Sequence, residues 1–248
     1  MAALTSNTIA STYLGLLKTS DSGARGAEGS ADQCSDGAGN TIPLYVSATE
    51  VYAVGSGTGT SHTAFGKDCG VDLAAGTGNS LFGEGAGADV TTGEHNVAVG
   101  YHALYQGTTE TDDNVAIGYN AMSGAWTTAA VNDCVVIGSG AGAGALTAAS
   151  VGTTAIGTAA GAAITAGTNS RENTLIGNNA GASITIGDGS VAVGAFALDA
   201  EVAGNSSVAI GYEALTAQTS AGDTDIHNVA VGFKAGTAVT SGVKNTII

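Results

Sequence analysis

The chain has 248 residues, of which 40 are Gly and 44% are hydrophobic, and six Lys and Arg against 21 Asp and Glu give it a formal net charge of −15. So few basic residues cannot build a phosphate-binding track, and no nucleic-acid partner is expected. Regularly placed Val and Ile among the glycines distinguish the chain from a disordered low-complexity segment and favour a repetitive β architecture.

Residues 1–50 form a non-repetitive N-terminal segment whose composition differs from that of the rest of the chain. Its apolar residues predict a short helix from Thr8 to Lys18, and the Gly-, Ser- and Asp-rich residues 19–41 predict a loop. The stretch IPLYVSATEVYAV predicts one or two strands. The segment has neither a basic leader nor an uninterrupted apolar run, so neither a signal peptide nor membrane insertion is expected.

A tandem repeat occupies residues 51–248. The stretch HNVAVGYHAL at 95–104 returns as HNVAVGFKAG at 227–236, and alignment on the glycine of VAVG finds ten copies spaced 17 to 21 residues apart. We call each copy a rung and the aligned residue its rung glycine. The near-match VYAVG at 51–55 lies 11 residues before the first of them and predicts a capping strand. The rung glycines are Gly66, Gly83, Gly100, Gly118, Gly138, Gly157, Gly177, Gly194, Gly211 and Gly232.

The residues around each rung glycine follow a period of two. The residue before it is always Val, Ile or Phe, the residue two earlier still is Thr, Ser or Val, and the position between them is mostly Ala. This pattern predicts a strand with β-branched side chains on one face and small ones on the other, in a parallel sheet. Three residues after the glycine comes Ala, or Cys69 in one copy, which predicts a second short strand after a kink.

The predicted fold is all-β: a parallel β-solenoid of about ten rungs of 17–21 residues. At roughly 4.8 Å per rung the rod is about 50 Å long. Length varies mainly ahead of each strand, so loops leave the stack at one edge. One chain cannot cover its Ala and Gly face, so we expect a homotrimer. Because the next rung glycine is due at position 249, we also expect the chain to continue past Ile248.

Two kinds of side chain are expected to stack between rungs. Asn stands four residues before the rung glycine in five copies, where the amides can bond to one another and to the turn backbone: Asn79, Asn96, Asn114, Asn173 and Asn228. His95 and His227 stand beside two of these and lack convergent ligands, so we interpret them as turn residues rather than metal ligands.

Aromatic residues supply the remaining candidates for function. Tyr101 and Tyr119 follow successive rung glycines, as do Tyr212 and Phe233, which predicts stacked rings or, alternatively, a ligand-binding strip. Trp126 is the sole Trp and lies in one of the longest loops. It either packs its own loop against the stack or serves as a receptor or glycan contact.

No catalytic, cofactor-binding or metal-binding residue is expected, and we predict that the protein is not an enzyme. Gly-rich stretches such as GEGAG and GSGAGAG lack the Lys-Ser/Thr pair and the βαβ context of nucleotide sites. IGDGS and SDGAG hold too few carboxylates for a calcium-binding β-roll. Clustered carboxylates suited to a β-helix hydrolase are missing. The three cysteines, far apart in the sequence, are interpreted as reduced apolar residues.

The columns N-[SVT]-[VA]-A-[IV]-G-x-x-A, seen in HNVAVGYHA, DNVAIGYNA, SSVAIGYEA and HNVAVGFKA, resemble the head repeats of YadA-like trimeric adhesins over residues 60–248. The resemblance implies a left-handed parallel β-roll with three chains packed around one axis, which would cover the Ala and Gly face. The N-terminal stretches TSNTIASTYLGLLKTSDSG and SDGAGNTIPLYVSATEVYAV resemble the front of tail-fibre proteins of aquatic bacteriophages. Such fibres carry the same repeat and are assembled in the host cytoplasm without a leader.

Taken with the sequence, these resemblances imply a structural virion protein, a bacteriophage tail fibre or similar appendage. In it, residues 1–50 would attach to other virion proteins, or cap the solenoid, and the repeats would form a rigid rod used in host attachment. Its outer partner would be a receptor or glycan on the host cell. One alternative is the head of a bacterial trimeric autotransporter adhesin. Another is an ice-binding solenoid, although the Thr residues are scattered rather than arrayed.

Overall fold

The structure, a computed structural model, shows a parallel β-solenoid in which equivalent residues of successive rungs lie side by side. No helix occurs among the residues that it describes. Before residue 62 it describes three short strands by their backbone pairing alone. Beyond that point it describes residues 62–106, 111–124, 131–144, 150–164, 172–220, 222 and 224–248.

The strands are two to five residues long. In chain order they are β1 (Lys18–Thr19), β2 (Gln33–Ser35), β3 (Thr41–Tyr45), β4 (Thr63–Phe65), β5 (Ser80–Phe82), β6 (Val97–Val99), β7 (Val115–Ile117), β8 (Val131–Asn132), β9 (Val135–Ile137), β10 (Ser150–Val151), β11 (Thr154–Ile156), β12 (Thr174–Ile176), β13 (Val191–Val193), β14 (Gly204–Asn205), β15 (Val208–Ile210), β16 (Thr224–Asp225), β17 (Val229–Val231) and β18 (Thr246–Ile247).

One sheet of 11 parallel strands runs the length of the stack, in the order β4-β5-β6-β7-β9-β11-β12-β13-β15-β17-β18. Its register is constant: Ala98 pairs with Ala116, and all the remaining neighbouring strands also pair equivalent positions of the repeat. Between the first rung glycine and the last the chain completes nine turns. Two further parallel pairs, β8 with β10 and β14 with β16, form just ahead of the main strands. The predicted all-β parallel solenoid is therefore confirmed.

The N-terminal strands β1, β2 and β3 form an antiparallel sheet in that order. Lys18 pairs with Ser35, so the helix predicted to end at Lys18 is wrong at that residue, and β2 lies inside the predicted loop 19–41. Residues 8–17 and the VYAVG stretch lie outside the described residues. The strand predicted in IPLYVSATEVYAV is confirmed at β3.

The second strand that we predicted after each rung glycine is wrong, because the chain turns there instead. The rung glycines have φ between 132° and 142°, and left-handed backbone follows two and four residues later, as at His102 and Leu104. A Cβ added to Gly118 would lie 2.7 Å from the carbonyl carbon of Gly138. Glycine is required because both the dihedral angle and the close approach of successive rungs exclude a side chain.

The two faces of the main sheet are the reverse of what the small-residue pattern suggested. The central Ala of the strands points into the roll: Ala98, Ala116 and Ala192 have no exposed surface. The β-branched residues on either side point outward, and Val99 keeps 36% of its surface exposed. The expectation that the Ala and Gly face of one chain is uncovered is therefore wrong, because the solenoid buries that face in its own core.

The core is filled by side chains that alternate in size within a rung. Where Leu or Met stands four residues after the rung glycine, as in Leu104 and Met122, it is fully buried above an Ala of the strand. Where Gly stands at that position, apolar side chains from other positions fill the space. A Cβ on Gly181 would lie 2.7 Å from Leu175 Cδ2 and 2.8 Å from Ile184 Cδ1. Each rung thus reaches close packing with a different combination of residues.

Candidate functional surface

An exposed band of apolar side chains runs along the outer face of the 11-stranded sheet. Its two columns stand one and three residues before each rung glycine, and we call the band the apolar stripe. Six members of the first column are 36–40% exposed in the single chain, and the other four are partly buried. The first column consists of Phe65, Phe82, Val99, Ile117, Ile137, Ile156, Ile176, Val193, Ile210 and Val231.

The apolar stripe is continuous because the register is uninterrupted, so each side chain lies about 4.8 Å from its equivalent in the next rung. Contiguous apolar patches of this kind mark interaction surfaces, whereas scattered surface apolar residues are ordinary. Outside the stripe the chain is strongly acidic overall, with a formal net charge of −15. The stripe is therefore the surface of the solenoid best suited to bury against another molecule.

Stacked rings mark both ends of the rod, and the predicted aromatic ladders are confirmed. Tyr101 and Tyr119 stack with centroids 5.4 Å apart and planes inclined by 10°, and Tyr212 and Phe233 do so at 5.6 Å and 11°. In the stripe itself, the rings of Phe65 and Phe82 stack at 5.4 Å. Stacking between equivalent positions stabilises the register by about 0.5–1.5 kcal/mol a pair.

Ion pairs join neighbouring rungs in the same outer columns. Lys67 Nζ lies 3.7 Å from Glu84 Oε1 in the next rung, and Lys234 Nζ lies 3.0 Å from Glu213 Oε2. The pKa of Glu213 is lowered by a hydrogen bond from Tyr212 and then by Lys234. Exposed pairs like these stabilise little, and Lys67 is shared with Asp68, whose Oδ2 lies 3.2 Å from its Nζ.

The predicted asparagine ladder is confirmed inside the roll. Asn79, Asn96 and Asn114 have no exposed surface. The backbone N–H and Nδ2 of Asn96 both donate to Asn79 Oδ1, at 2.8 and 3.0 Å, and those of Asn114 both donate to Asn96 Oδ1 at 3.1 Å. Asn96 Nδ2 also donates to the carbonyl of Thr111 at 2.5 Å. Each amide therefore bonds to both neighbouring rungs and satisfies buried backbone.

Other residues replace asparagine in the middle of the ladder. The backbone bond of the ladder is kept at these positions: Cys134 N–H donates to Asn114 Oδ1 at 3.0 Å, and Ser190 N–H donates to Asn173 Oδ1 at 2.9 Å. Burial raises the pKa of the Cys134 thiol to about 11, as it does for Cys69. Both thiols are buried and protonated at neutral pH, which makes them packing residues rather than nucleophiles. Cys34 lies in β2, described by its backbone alone.

A buried carboxylate was not predicted from the sequence. Glu201 takes the place that apolar Leu73, Val90, Ile164 and Ile184 fill in other rungs, seven residues after the rung glycine, and it has no exposed surface. Its Oε1 accepts from the backbone N–H groups of residues 202–204 at 2.7–3.0 Å and from the hydroxyl of Ser220, and its Oε2 accepts from Gln218 at 2.8 Å. The signal in the sequence that could have identified Glu201 is a polar residue at a position that is apolar in other rungs.

The structure places the remaining candidates as follows. All ten rung glycines lie in the described part of the solenoid and share the positive φ. His95 and His227 adopt left-handed backbone at φ 55° and 53°, as a turn position requires. Trp126 lies outside the described residues. In the described ranges no three His, Cys, Asp or Glu side chains are grouped so as to hold a metal ion. Nor does any helix there have the length and apolar character needed to cross a membrane.

Comparison of the chain with protein-family models, with curated proteins and with solved structures gave no match. The conclusions on function that follow therefore depend on the geometry of the solenoid and on the pattern of its residues.

Proposed function

We propose that the protein is a rigid homotrimeric rod, a bacteriophage tail fibre or similar virion appendage that acts in host attachment. The observation that carries this proposal is the apolar stripe, whose Val, Ile and Phe side chains are exposed or half-buried in every rung of the single chain. An isolated chain with such a surface would associate, so the functional unit is an assembly. The proposal takes the left-handed winding of the roll and the number of chains from the YadA-like repeat pattern.

A second copy of the same chain is the partner that best fits the stripe. Because every rung presents the same two columns, a parallel copy in register matches the stripe rung for rung along its length. Antiparallel pairing would instead set the stacked rings of Phe65 and Phe82 against the β-branched residues of the other end. Three chains around one axis close the arrangement and bury one stripe from each.

A spacer role suits the described part of the chain. Residues pair almost entirely with the neighbouring rungs, so rungs can be added or lost without disturbing either end. Among the described residues the asparagine ladder and the Glu201 network satisfy many of the polar groups of the interior, and these bonds stabilise the rod. We propose that residues 1–50 attach the rod to other virion proteins and that the solenoid projects toward the host cell surface.

A bacterial adhesin head remains the alternative with the same architecture, and the two differ in where the protein is found. An ice-binding surface is disfavoured because the outward columns of the sheet are mainly Val, Ile and Phe. In the column three residues before the rung glycine, Thr stands at 63, 154 and 174.

The location of the protein tests the proposal. Antibodies raised against the purified chain and coupled to gold would be applied to phage particles and to the host cells, and both would be viewed by electron microscopy. We expect label on particle appendages and none on uninfected cells. Label on the surface of uninfected cells would contradict the phage assignment and establish the adhesin instead.

A further inference from the structure

The outer columns just beyond the rung glycines change character along the rod. One residue after the glycine stand Tyr101 and Tyr119, then three polar residues and one alanine in four successive rungs, then Tyr212 and Phe233. Two residues after it, the first three of these middle rungs carry small or amide side chains, and the fourth carries Phe196. We call this middle stretch the polar trough. It is made up of Ser139, Gly140, Thr158, Ala159, Asn178 and Asn179.

The polar trough is open and uncharged. Ser139, Thr158 and Asn178 are exposed, and a Cβ added to Gly140 would meet no atom within 4 Å. Asn179 Nδ2 donates to Asn178 Oδ1 at 3.2 Å, which holds the two amides side by side on the surface. The trough lies across the rung glycines from the apolar stripe and includes none of its residues. Hydroxyl and amide groups are thus presented in a row.

Aromatic rings close the polar trough at both ends. Tyr119 is 58% exposed and stacks on Tyr101 on the side away from the trough, so its other face looks along the trough toward Ser139. At the far end Phe196 stands in the rung between Asn179 and Tyr212, and its ring meets that of Tyr212, which is 42% exposed, edge to face with centroids 6.2 Å apart. Tyr119 and Tyr212 are separated by five rung steps, about 24 Å.

The charges around the polar trough select the kind of ligand. The three carboxylates in its columns all lie outside it: Asp68 and Glu84 pair with Lys67, and Glu213, in the rung of Tyr212, pairs with Lys234. A cation therefore finds no carboxylate inside the trough. An anion is opposed by the net charge of −15. An uncharged ligand with many hydroxyl groups and flat apolar ring faces fits the polar trough. Its hydroxyl groups can form hydrogen bonds with Ser, Thr and Asn, and its ring faces can stack on Tyr.

We propose that the polar trough binds a linear neutral oligosaccharide of about four sugar units. A pyranose ring is about as long as the rung repeat of about 4.8 Å, so successive sugars follow successive rungs. One terminal sugar stacks on Tyr119, the other lies against the rings of Phe196 and Tyr212, and the central ones exchange hydrogen bonds with Ser139, Thr158 and Asn178. The biological meaning, recognition of a host glycan, rests on the proposed role in attachment, but the binding itself does not.

The test uses the full chain in its assembled form. Binding is first measured on an array of neutral, sialylated and sulfated tetrasaccharides, and the tightest neutral tetrasaccharide is then titrated by calorimetry. We expect neutral compounds to bind and anionic ones not to. Tyr119→Ala should weaken binding about tenfold or more, because aromatic anchors dominate such contacts. Thr158→Arg, which fills the trough, should abolish binding while the far-ultraviolet circular dichroism stays unchanged.

Lys67→Ala is the control, since Lys67 is exposed in the same outer column, three rungs before Tyr119 and outside the trough. It should leave the affinity unchanged. Three results would overturn the inference: no neutral tetrasaccharide bound by the assembled protein, preference for anionic compounds, or equal losses from Tyr119→Ala and Lys67→Ala. Neutral sugar binding by a protein found on uninfected cells would support the trough and contradict the tail-fibre assignment, so the two proposals fail separately.

Discussion

At the rung glycines the backbone has φ of 132–142°, and in nine of the ten the site of a missing Cβ lies 2.7 Å or less from the carbonyl group of the next rung. A side chain there meets rigid backbone as well as an unfavourable dihedral angle. We therefore expect Gly118→Val or Gly211→Val to lower the free energy of unfolding by about 3 kcal/mol or more. Tyr212→Thr loses one stacked ring and should cost only about 0.5–1.5 kcal/mol.

Thermal and denaturant unfolding followed by circular dichroism measure these differences. Gly222→Val is the control, because a Cβ at Gly222 would meet no atom within 4 Å. It should unfold like the parent protein. If the melting temperatures of Gly118→Val and Tyr212→Thr were equal, the required close approach of the rungs would be disproved.

The buried side-chain amides of the asparagine ladder also stabilise the fold residue by residue. Asn96→Ala removes the two bonds that Asn96 Nδ2 donates and the two that Asn96 Oδ1 accepts, and it leaves the Thr111 carbonyl and the Asn114 amide buried without those partners. Each such group costs about 1–3 kcal/mol, so we expect a loss of about 2–4 kcal/mol in unfolding free energy. Asn178→Ala alters an exposed amide and should change it by less than about 0.5 kcal/mol. Denaturant midpoints compare the two, and similar midpoints would contradict the ladder's stabilising role.

Among the elements, the loop that precedes β14 carries the one buried carboxylate that the structure describes. Burial alone would raise the pKa of Glu201, but hydrogen bonds from Ser220, Gln218 and the backbone N–H groups of Gly204 and Ala203 together lower the pKa below 4.5. A carboxyl whose pKa is lower in the folded than in the unfolded chain stabilises the fold above the unfolded pKa. That stabilisation is lost as the pH falls through the folded pKa.

We therefore expect the stability of the parent protein to fall below about pH 4.5 more steeply than that of Glu201→Gln, which cannot titrate there. At neutral pH Glu201→Gln should be less stable by about 1–3 kcal/mol, because its amide group brings donors to a site already filled with donors. Glu172→Gln changes an exposed carboxylate and is the control. Melting temperatures measured from pH 7 to pH 3 test this prediction. Parallel curves of melting temperature against pH for the parent protein and Glu201→Gln would contradict it.

The sequence was informative about elements in proportion to how strictly the repeat constrains them. The spacing of the glycines was sufficient to predict the strands of the main sheet and their parallel register, and Asn96 and Tyr101 were predicted to stack because stacking follows directly from the repeat. The orientation of the faces was predicted wrongly, since period-two alternation separates Ala98 from Val99 without showing which of them points inward. Glu201 was missed because it lies beyond the strand, in a column whose residues change from rung to rung.

At the scale of the whole molecule, residues 1–50 and the solenoid are proposed to have separate tasks. A truncated chain of residues 51–248 should still assemble, since the stripe is intact, but should fail to join particles. The experiment supplies the full or the truncated chain to host cells infected by a phage that lacks the gene for this protein, and it measures how much of each chain is incorporated into particles. If residues 1–50 only cap the solenoid, the truncated chain should instead aggregate or fray. Efficient incorporation of the truncated chain would rule out the attachment role.

Assembly through the apolar stripe is the central claim, and the mass of the purified protein in solution tests it most directly. Light scattering coupled to size-exclusion chromatography should give about three times the chain mass of 23.7 kDa. A double variant with Lys at Val99 and Ile210 should fall apart into single chains, because it places charges at the centre of the interface. Lys at Glu172 and Asp225, which are exposed outside the stripe, should leave the trimer intact. A stable, folded monomer of the unmodified chain would contradict the account.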